Sequence, residues 1–208
     1  LLVAGSKWGG PGMMPVPGDY DGDAVCDFGA YEIASGGWYV KSGLGPVLTW
    51  NLPLGATGFN LVPGDYDGDR AVEPAVFDGS TGAWYARGIA GNVLFWGALW
   101  GGMEMTPVAG DYDGDGIWDQ AVYHQATGLW YIRASSGNQP VLWGEEWGGP
   151  GLAAVAGDYD GDGIWDLAVY NAGAGSWFVR TVQGTVLLWA DAWGGEAYTP
   201  VGAAAFSS

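Results

Sequence analysis

Positive charge is scarce in this chain. Six Lys and Arg stand against 23 Asp and Glu, a formal charge of −17 over 208 residues. A surface built to hold nucleic acid phosphates needs the opposite sign, which excludes that partner class. Cysteine is scarcer still: Cys26 alone permits no intramolecular disulfide, and His124 is the only histidine. A missing disulfide does not fix the compartment, because bound cations can take over that role in a secreted protein. No apolar run approaches about 18 residues, so no membrane span is expected. The start at Leu1, without a basic leader, reads as a mature or excised product and not as an intact signal peptide.

What the chain has in excess is Gly (40 residues) and Trp (14 residues), and both follow a repeat. Gly-Asp-Tyr-Asp-Gly-Asp recurs with its first Asp at Asp19, Asp65, Asp111 and Asp158, spacings of 46, 46 and 47 residues. After each copy come a short apolar stretch, a Gly-containing turn and a Trp-aromatic-x-basic segment starting at Trp38, Trp84, Trp130 or Trp177. A second apolar run then carries Trp50, Trp96, Trp143 or Trp189. Trp-Gly-Gly closes the unit at Trp100, Trp147 and Trp193, with Leu54 in that place in the first unit and Trp8 preceding it. Only Trp118 and Trp165 fall elsewhere, inside the acidic loops.

Four apolar runs of about five residues per unit, without a 3.6 period, favour strands over helices. Four short strands per unit of about 46 residues predict an all-β propeller with four complete blades. The expected limits are 15–60, 61–106, 107–153 and 154–198, all within one domain spanning 1–208. Segment 1–14 matches a terminal fourth strand and 199–208 an extra first strand, so the two could close a reduced fifth blade. Trp-Asp at 118–119 and 165–166 is no WD40 signature, since it occurs in two units and lies within the loop.

Within each loop the acids occupy positions 1, 3, 5 and 9. They are Asp19, Asp21, Asp23 and Asp27; Asp65, Asp67, Asp69 and Glu73; Asp111, Asp113, Asp115 and Asp119; and Asp158, Asp160, Asp162 and Asp166. Two carboxylates 4 Å apart repel by about 4 kcal/mol at an effective dielectric of 20, and each loop holds six such pairs. A hard cation among the oxygens removes that cost. Oxygen-only ligands in a flexible loop favour Ca²⁺, with the position-7 carbonyls of Val25, Ala71, Ile117 and Ile164 as backbone ligands. An EF-hand does not fit: its position 12 needs Glu, and Ala30, Val76, Val122 and Val169 stand there.

Gly-Asp-Tyr-Asp-Gly-Asp-Gly-Ile-Trp-Asp followed by an apolar stretch resembles the FG-GAP/VCBS repeat, the family of integrin α-subunit propellers and of several lectins. The resemblance covers almost the whole chain. It implies one Ca²⁺ per loop, up to four in all, between the first two strands of each blade, held by the 16 acids named above. Ala24 and Arg70 replace the loop glycine, and Glu73 replaces the last Asp. The second site, with Arg70 beside its ligands, is expected to be the weakest.

Catalysis breaks repeat symmetry, and little here does. His124 fills a slot that Glu32, Asp78 and Asn171 take elsewhere, a strand-end position open to any polar residue. Cys26 fills the slot of Val72, Trp118 and Trp165, where a buried small hydrophobe is expected. Glu145 and Glu146 are adjacent strand residues pointing to opposite faces, unsuited to joint acid–base work. Lys41, Arg87, Arg133 and Arg180 recur at one place and are expected to pair with nearby acids. No nucleophile–base set emerges, so no enzyme activity is expected. The reading is a secreted or cell-surface module for recognition or adhesion, with a glycan or extracellular protein as ligand and Trp118 and Trp165 as exposed contacts. Two alternatives stand beside it. One is a self-assembling subunit that forms rings or filaments through its split terminal strands; the other is an accessory fragment of a larger secreted enzyme.

Overall fold

A computed structural model describes residues 7–200. Among these residues there are 16 strands and no helix, hence no helix able to cross a membrane. The strands form four four-stranded antiparallel sheets, each in chain order. The first holds β1 (Met13–Pro15), β2 (Phe28–Glu32), β3 (Gly37–Lys41) and β4 (Val47–Pro53). The second holds β5 (Asn60–Leu61), β6 (Ala75–Asp78), β7 (Ala83–Arg87) and β8 (Val93–Leu99). The third holds β9 (Met105–Pro107), β10 (Gln120–His124), β11 (Leu129–Arg133) and β12 (Pro140–Glu146). The fourth holds β13 (Leu152–Ala154), β14 (Leu167–Asn171), β15 (Ser176–Arg180) and β16 (Val186–Ala192). Each first strand straddles the unit limit read from the sequence, because pairing begins before the Pro-Val, Leu-Val or Ala-Val step that precedes the acidic loop. Of the terminal-strand assignments, 1–14 and 199–208, residues 1–6 and 201–208 lie outside the described residues; in the rest of 1–14, residues 7–12 carry no strand and Met13 and Met14 open β1, a first strand and not a fourth.

The second strands are apolar on both faces, as in Val76, Phe77, Val122 and Tyr123, because each sheet packs against its neighbours in the chain. One cluster joins Tyr31, Trp38 and Val40 of the first sheet to Leu61 and Val76 of the second. A second joins Phe77 and Trp84 to Ala109 and Val122 of the third. A third joins Tyr123 and Trp130 to Ala156 and Leu167 of the fourth. Trp38, Trp84 and Trp130 are fully buried, and their indole N–H groups donate to Leu54, Trp100 and Trp147 carbonyls at 3.0, 2.8 and 2.7 Å. Burial of so large a ring is favourable only when that N–H keeps a partner.

Each fourth strand carries a bulge against the third, with a left-handed residue at Asn51, Gly97, Gly144 or Ala190. The bulge turns the outer strand so that Trp50, Trp96, Trp143 and Trp189 face outward, 60–73% exposed.

Candidate metal centres and the aromatic grooves

The acidic loops join the first and second strands of each sheet and are folded by their own hydrogen bonds. The position-1 carboxylate accepts the N–H groups of positions 4 and 6, as from Gly22 and Ala24 to Asp19, both at 2.8 Å. The position-5 carboxylate accepts the N–H of position 7 at 2.8 Å in all four loops. The position-9 carboxylate accepts the N–H of the loop tyrosine at 2.7–2.9 Å. That tyrosine is itself pinned: Tyr20, Tyr66, Tyr112 and Tyr159 donate their hydroxyls to Val16, Val62, Val108 and Val155 carbonyls.

Carboxylate oxygens converge within 4.8 Å of one another in every loop. The groups are Asp19, Asp21 and Asp27; Asp65, Asp67 and Glu73; Asp111, Asp113 and Asp115; and Asp158, Asp160 and Asp166. Three loops thus bring together positions 1, 3 and 9, and the third brings together positions 1, 3 and 5. Asp23, Asp69, Asp119 and Asp162, and the position-7 residues Val25, Ala71, Ile117 and Ile164, lie in the same turns outside these groups. Position 9 is the buried member, with Asp27, Glu73, Asp119 and Asp166 0–3% exposed. Neither ion pair among the described residues, His124–Glu104 or Arg180–Glu145, involves a loop acid.

Burial without a counter-charge shows in the proton affinities. Burial first, then Asp67, Asp69 and Asp65, push Glu73 up to about 8. The same causes, through Asp113 and Asp111, push Asp119 up to about 7. In the fourth loop burial and then Asp160, Asp162 and Asp158 push Asp166 up to about 6. Buried acids with no cationic side chain at hand, arranged as an all-oxygen set, fit a hard metal ion. The four clusters can hold one each.

Trp118 and Trp165 are not free surface residues. Both are half-buried. Each N–H donates to the preceding loop, at Asp65 O (2.6 Å) and Asp111 O (2.7 Å), and Val72 does the same to Asp19 O (2.6 Å). Their rings lie over Gly64 and Gly110, so close that a Cβ there would fall 2.2 and 2.1 Å from indole carbons. They also meet edge to face at 4.9 Å. The position expected to supply exposed ligand contacts is the seam between neighbouring loops. Cys26, at the same position in the first loop, is exposed, not buried as expected; no earlier loop lies beneath it among the described residues.

The basic residues also work across seams. Arg87 donates to Pro53 O at 3.2 Å and Arg133 to Leu99 O at 3.3 Å, each reaching the preceding sheet. Arg180 alone meets the expectation of an acid partner, at 2.7 Å from Glu145. Lys41 lies over the Phe28 ring. His124 sits at a strand end, with Nδ1 2.6 Å from Thr127 Oγ1.

Trp96 and Trp189 border grooves between consecutive sheets, and Trp50 borders one between the first sheet and residues 7–11. Trp50 meets Tyr39 edge to face at 5.2 Å and Trp8 at 5.8 Å. Trp189 meets Phe178 at 5.4 Å and Trp147 at 5.8 Å in the same way. The grooves beside Trp50, Trp96 and Trp189 enclose about 410, 370 and 270 Å³. The repeat pattern marked these Trp residues as recurrent; their exposure depends on the bulge, which the pattern does not reveal. A scan against protein-family models and a search of the curated proteins both return no match.

Proposed function

We propose that the chain is a calcium-stiffened β-propeller segment that acts outside the cell as a non-catalytic recognition module for a glycan. The observation that carries this reading is the recurrence of an exposed Trp at one place in all four sheets, each on an aromatic wall. Trp offers a flat apolar face to the C–H side of a sugar ring at little entropic cost. The charge of −17 disfavours anionic ligands. Exposed Trp faces repeated along the chain suit a ligand that is itself repetitive, since avidity multiplies weak single contacts.

The propeller reading is supported by four-stranded sheets packed in chain order and by the likeness of the loops to FG-GAP/VCBS repeats. Ca²⁺ would be held by the position 1, 3, 5 and 9 acids of each loop. Bound there, it supplies the positive charge that the loops lack. Sites of this extracellular kind typically bind at about 10⁻⁴ to 10⁻³ M, which suits a secreted or surface protein.

Binding to immobilised polysaccharides and glycan arrays tests the reading. Replacing Trp50, Trp96, Trp143 and Trp189 together by Ala should lower avidity by about 10²-fold or more. Trp118→Ala and Trp165→Ala should lower stability and leave binding intact. Absence of glycan binding, or equal binding by the fourfold variant, would overturn the glycan assignment. A melting temperature unmoved by a chelator would overturn the calcium assignment on its own.

A further inference from the structure

Each of the first three sheets is covered on its forward side by the sheet that follows. The covering parts recur: a first strand, the loop position-8 residue and the basic residue that ends the third strand. Among the described residues nothing equivalent covers the fourth sheet. Tyr159 is 40% exposed, against 1–5% for Tyr20, Tyr66 and Tyr112. Trp193 is 81% exposed, against 2% for Leu54, and Trp100 and Trp147 are half-buried. Asp158 O receives no loop-to-loop bond of the kind that Asp19, Asp65 and Asp111 accept. A recess of about 270 Å³ remains there, lined by Tyr159, Trp177, Leu188, Asp191 and Trp193. The first sheet is open on the opposite side. Cys26 and Phe28 are exposed there, whereas Pro74, Gln120 and Leu167, which match Phe28, are buried.

We propose that the forward side of the fourth sheet docks the first sheet of a second copy of this chain, repeating between molecules the junction that occurs three times within one. Charge supports the match. In the strand registers Lys41 takes the place of Arg180, and Asp191 the place of Glu145, the ion pair that spans the third internal junction. Between copies, Lys41 of one therefore faces Asp191 of the other.

Trp8 moderates the contact. It lies 5.8 Å from Trp50, as Trp100 lies 5.6 Å from Trp143, and so occupies in its own chain the seat that the second copy's Trp193 takes. Its seating is incomplete. Trp100 and Trp147 donate their indole N–H to Tyr131 O and Phe178 O, whereas Trp8 Nε1 is buried with no acceptor among the described residues. Trp193 gains by replacing it, and association is set by that exchange. The contact is head-to-tail, and two copies closing on each other make a ring of eight sheets, within the range of known propellers.

Sedimentation velocity on the full chain in millimolar calcium, at concentrations up to about 1 mM, tests this. Reversible association is expected. Asp191→Lys and Lys41→Asp should each weaken it about tenfold or more, and the two together should restore it. Trp193→Ala should weaken association and Trp8→Ala should strengthen it. Melting temperatures of the charge variants, altered at exposed or half-exposed positions, check that folding is intact. A 21.7 kDa monomer throughout, Trp8→Ala included, would overturn the proposal. So would association indifferent to both charge reversals. A chain ending at Pro200 that associates where the full chain does not would assign the face to residues 201–208 instead.

Discussion

Filling the loops with calcium should expel protons. At pH 7 and without a metal, a carboxyl at about 8 is about nine-tenths protonated, one at about 7 is half protonated and one at about 6 about one-tenth protonated. A divalent cation within contact distance drives such groups to the ionised form. Glu73, Asp119 and Asp166 should together release about one and a half protons per chain on saturation at pH 7. At pH 5 the three should release about three protons, and at pH 9 about one-tenth of one. Calorimetric titration with CaCl₂ in buffers of different ionisation enthalpy reads this number directly, as the slope of apparent enthalpy against buffer enthalpy. Glu73→Gln should remove about 0.9 of a proton at pH 7 and leave the remainder. A slope of zero at pH 7 alongside normal calcium binding would refute the reasoning, since it would mean that these buried acids are already ionised before the metal arrives.

The same groups set the sign of the pH response. Because the Glu73 carboxyl lies above its ordinary 4.5 when folded, the native chain binds more protons than the unfolded one between that value and about 8. In chelator this contribution is therefore intact below pH 4.5 and is lost as pH rises toward 8, so thermal melts should fall across that window. With calcium saturating, the folded carboxylates are the favoured form and the dependence reverses, stability falling with acid. Arg70→Gly should raise stability by about 1 kcal/mol, because residue 70 sits at φ 73° where Gly116 and Gly163 stand in later loops, and it should also tighten the second site. Chemical denaturation and a site-resolved titration check both parts. Trp84→Ala should cost about 3–5 kcal/mol in urea melts, and Trp96→Ala about 1 kcal/mol, as one ring is fully buried and the other 60% exposed. Gly110→Ala should cost about 1–3 kcal/mol by driving into the Trp165 ring, whereas Gly157→Ala, with only Tyr159 nearby at 3.5 Å, should be near neutral in the monomer.

Strand number and the acidic loops were legible in the sequence because both rest on local signals. Short apolar runs fix strands through the spacing of turns, and four acids within nine residues need no tertiary context to be recognised. The limits of each first strand were harder to read, since strand pairing, not composition, decides where β5 begins at Asn60. The roles of the Trp residues depend on which face each ring takes, and that is a tertiary property. Trp38 and Trp50 both lie in strands and recur in every unit, yet one is fully buried and the other 70% exposed. The difference comes from a bulge whose left-handed residue is Asn51 in one sheet, Gly97 and Gly144 in two others and Ala190 in the last, so no single residue type announces it.

Position 8 shows a second limit. Cys26, Val72, Trp118 and Trp165 differ in size and polarity, and from sequence Cys26 is expected to be buried and the two Trp residues exposed. In the fold the site is a contact, and the variation is matched across it: a Cβ at Gly18 would meet the Val72 methyls at 3.3 Å, while Trp118 and Trp165 fill the space over Gly64 and Gly110 completely. A seam of this kind tolerates different residues as long as the glycine beneath stays small. It follows that the residue at position 8 reports on the loop before it more than on its own loop. Cys26 is the one member with no such loop beneath it among the described residues, and Gly157 is the one glycine with no position-8 residue above it. Those two unmatched halves of a single contact are what a second copy of the chain would bring together.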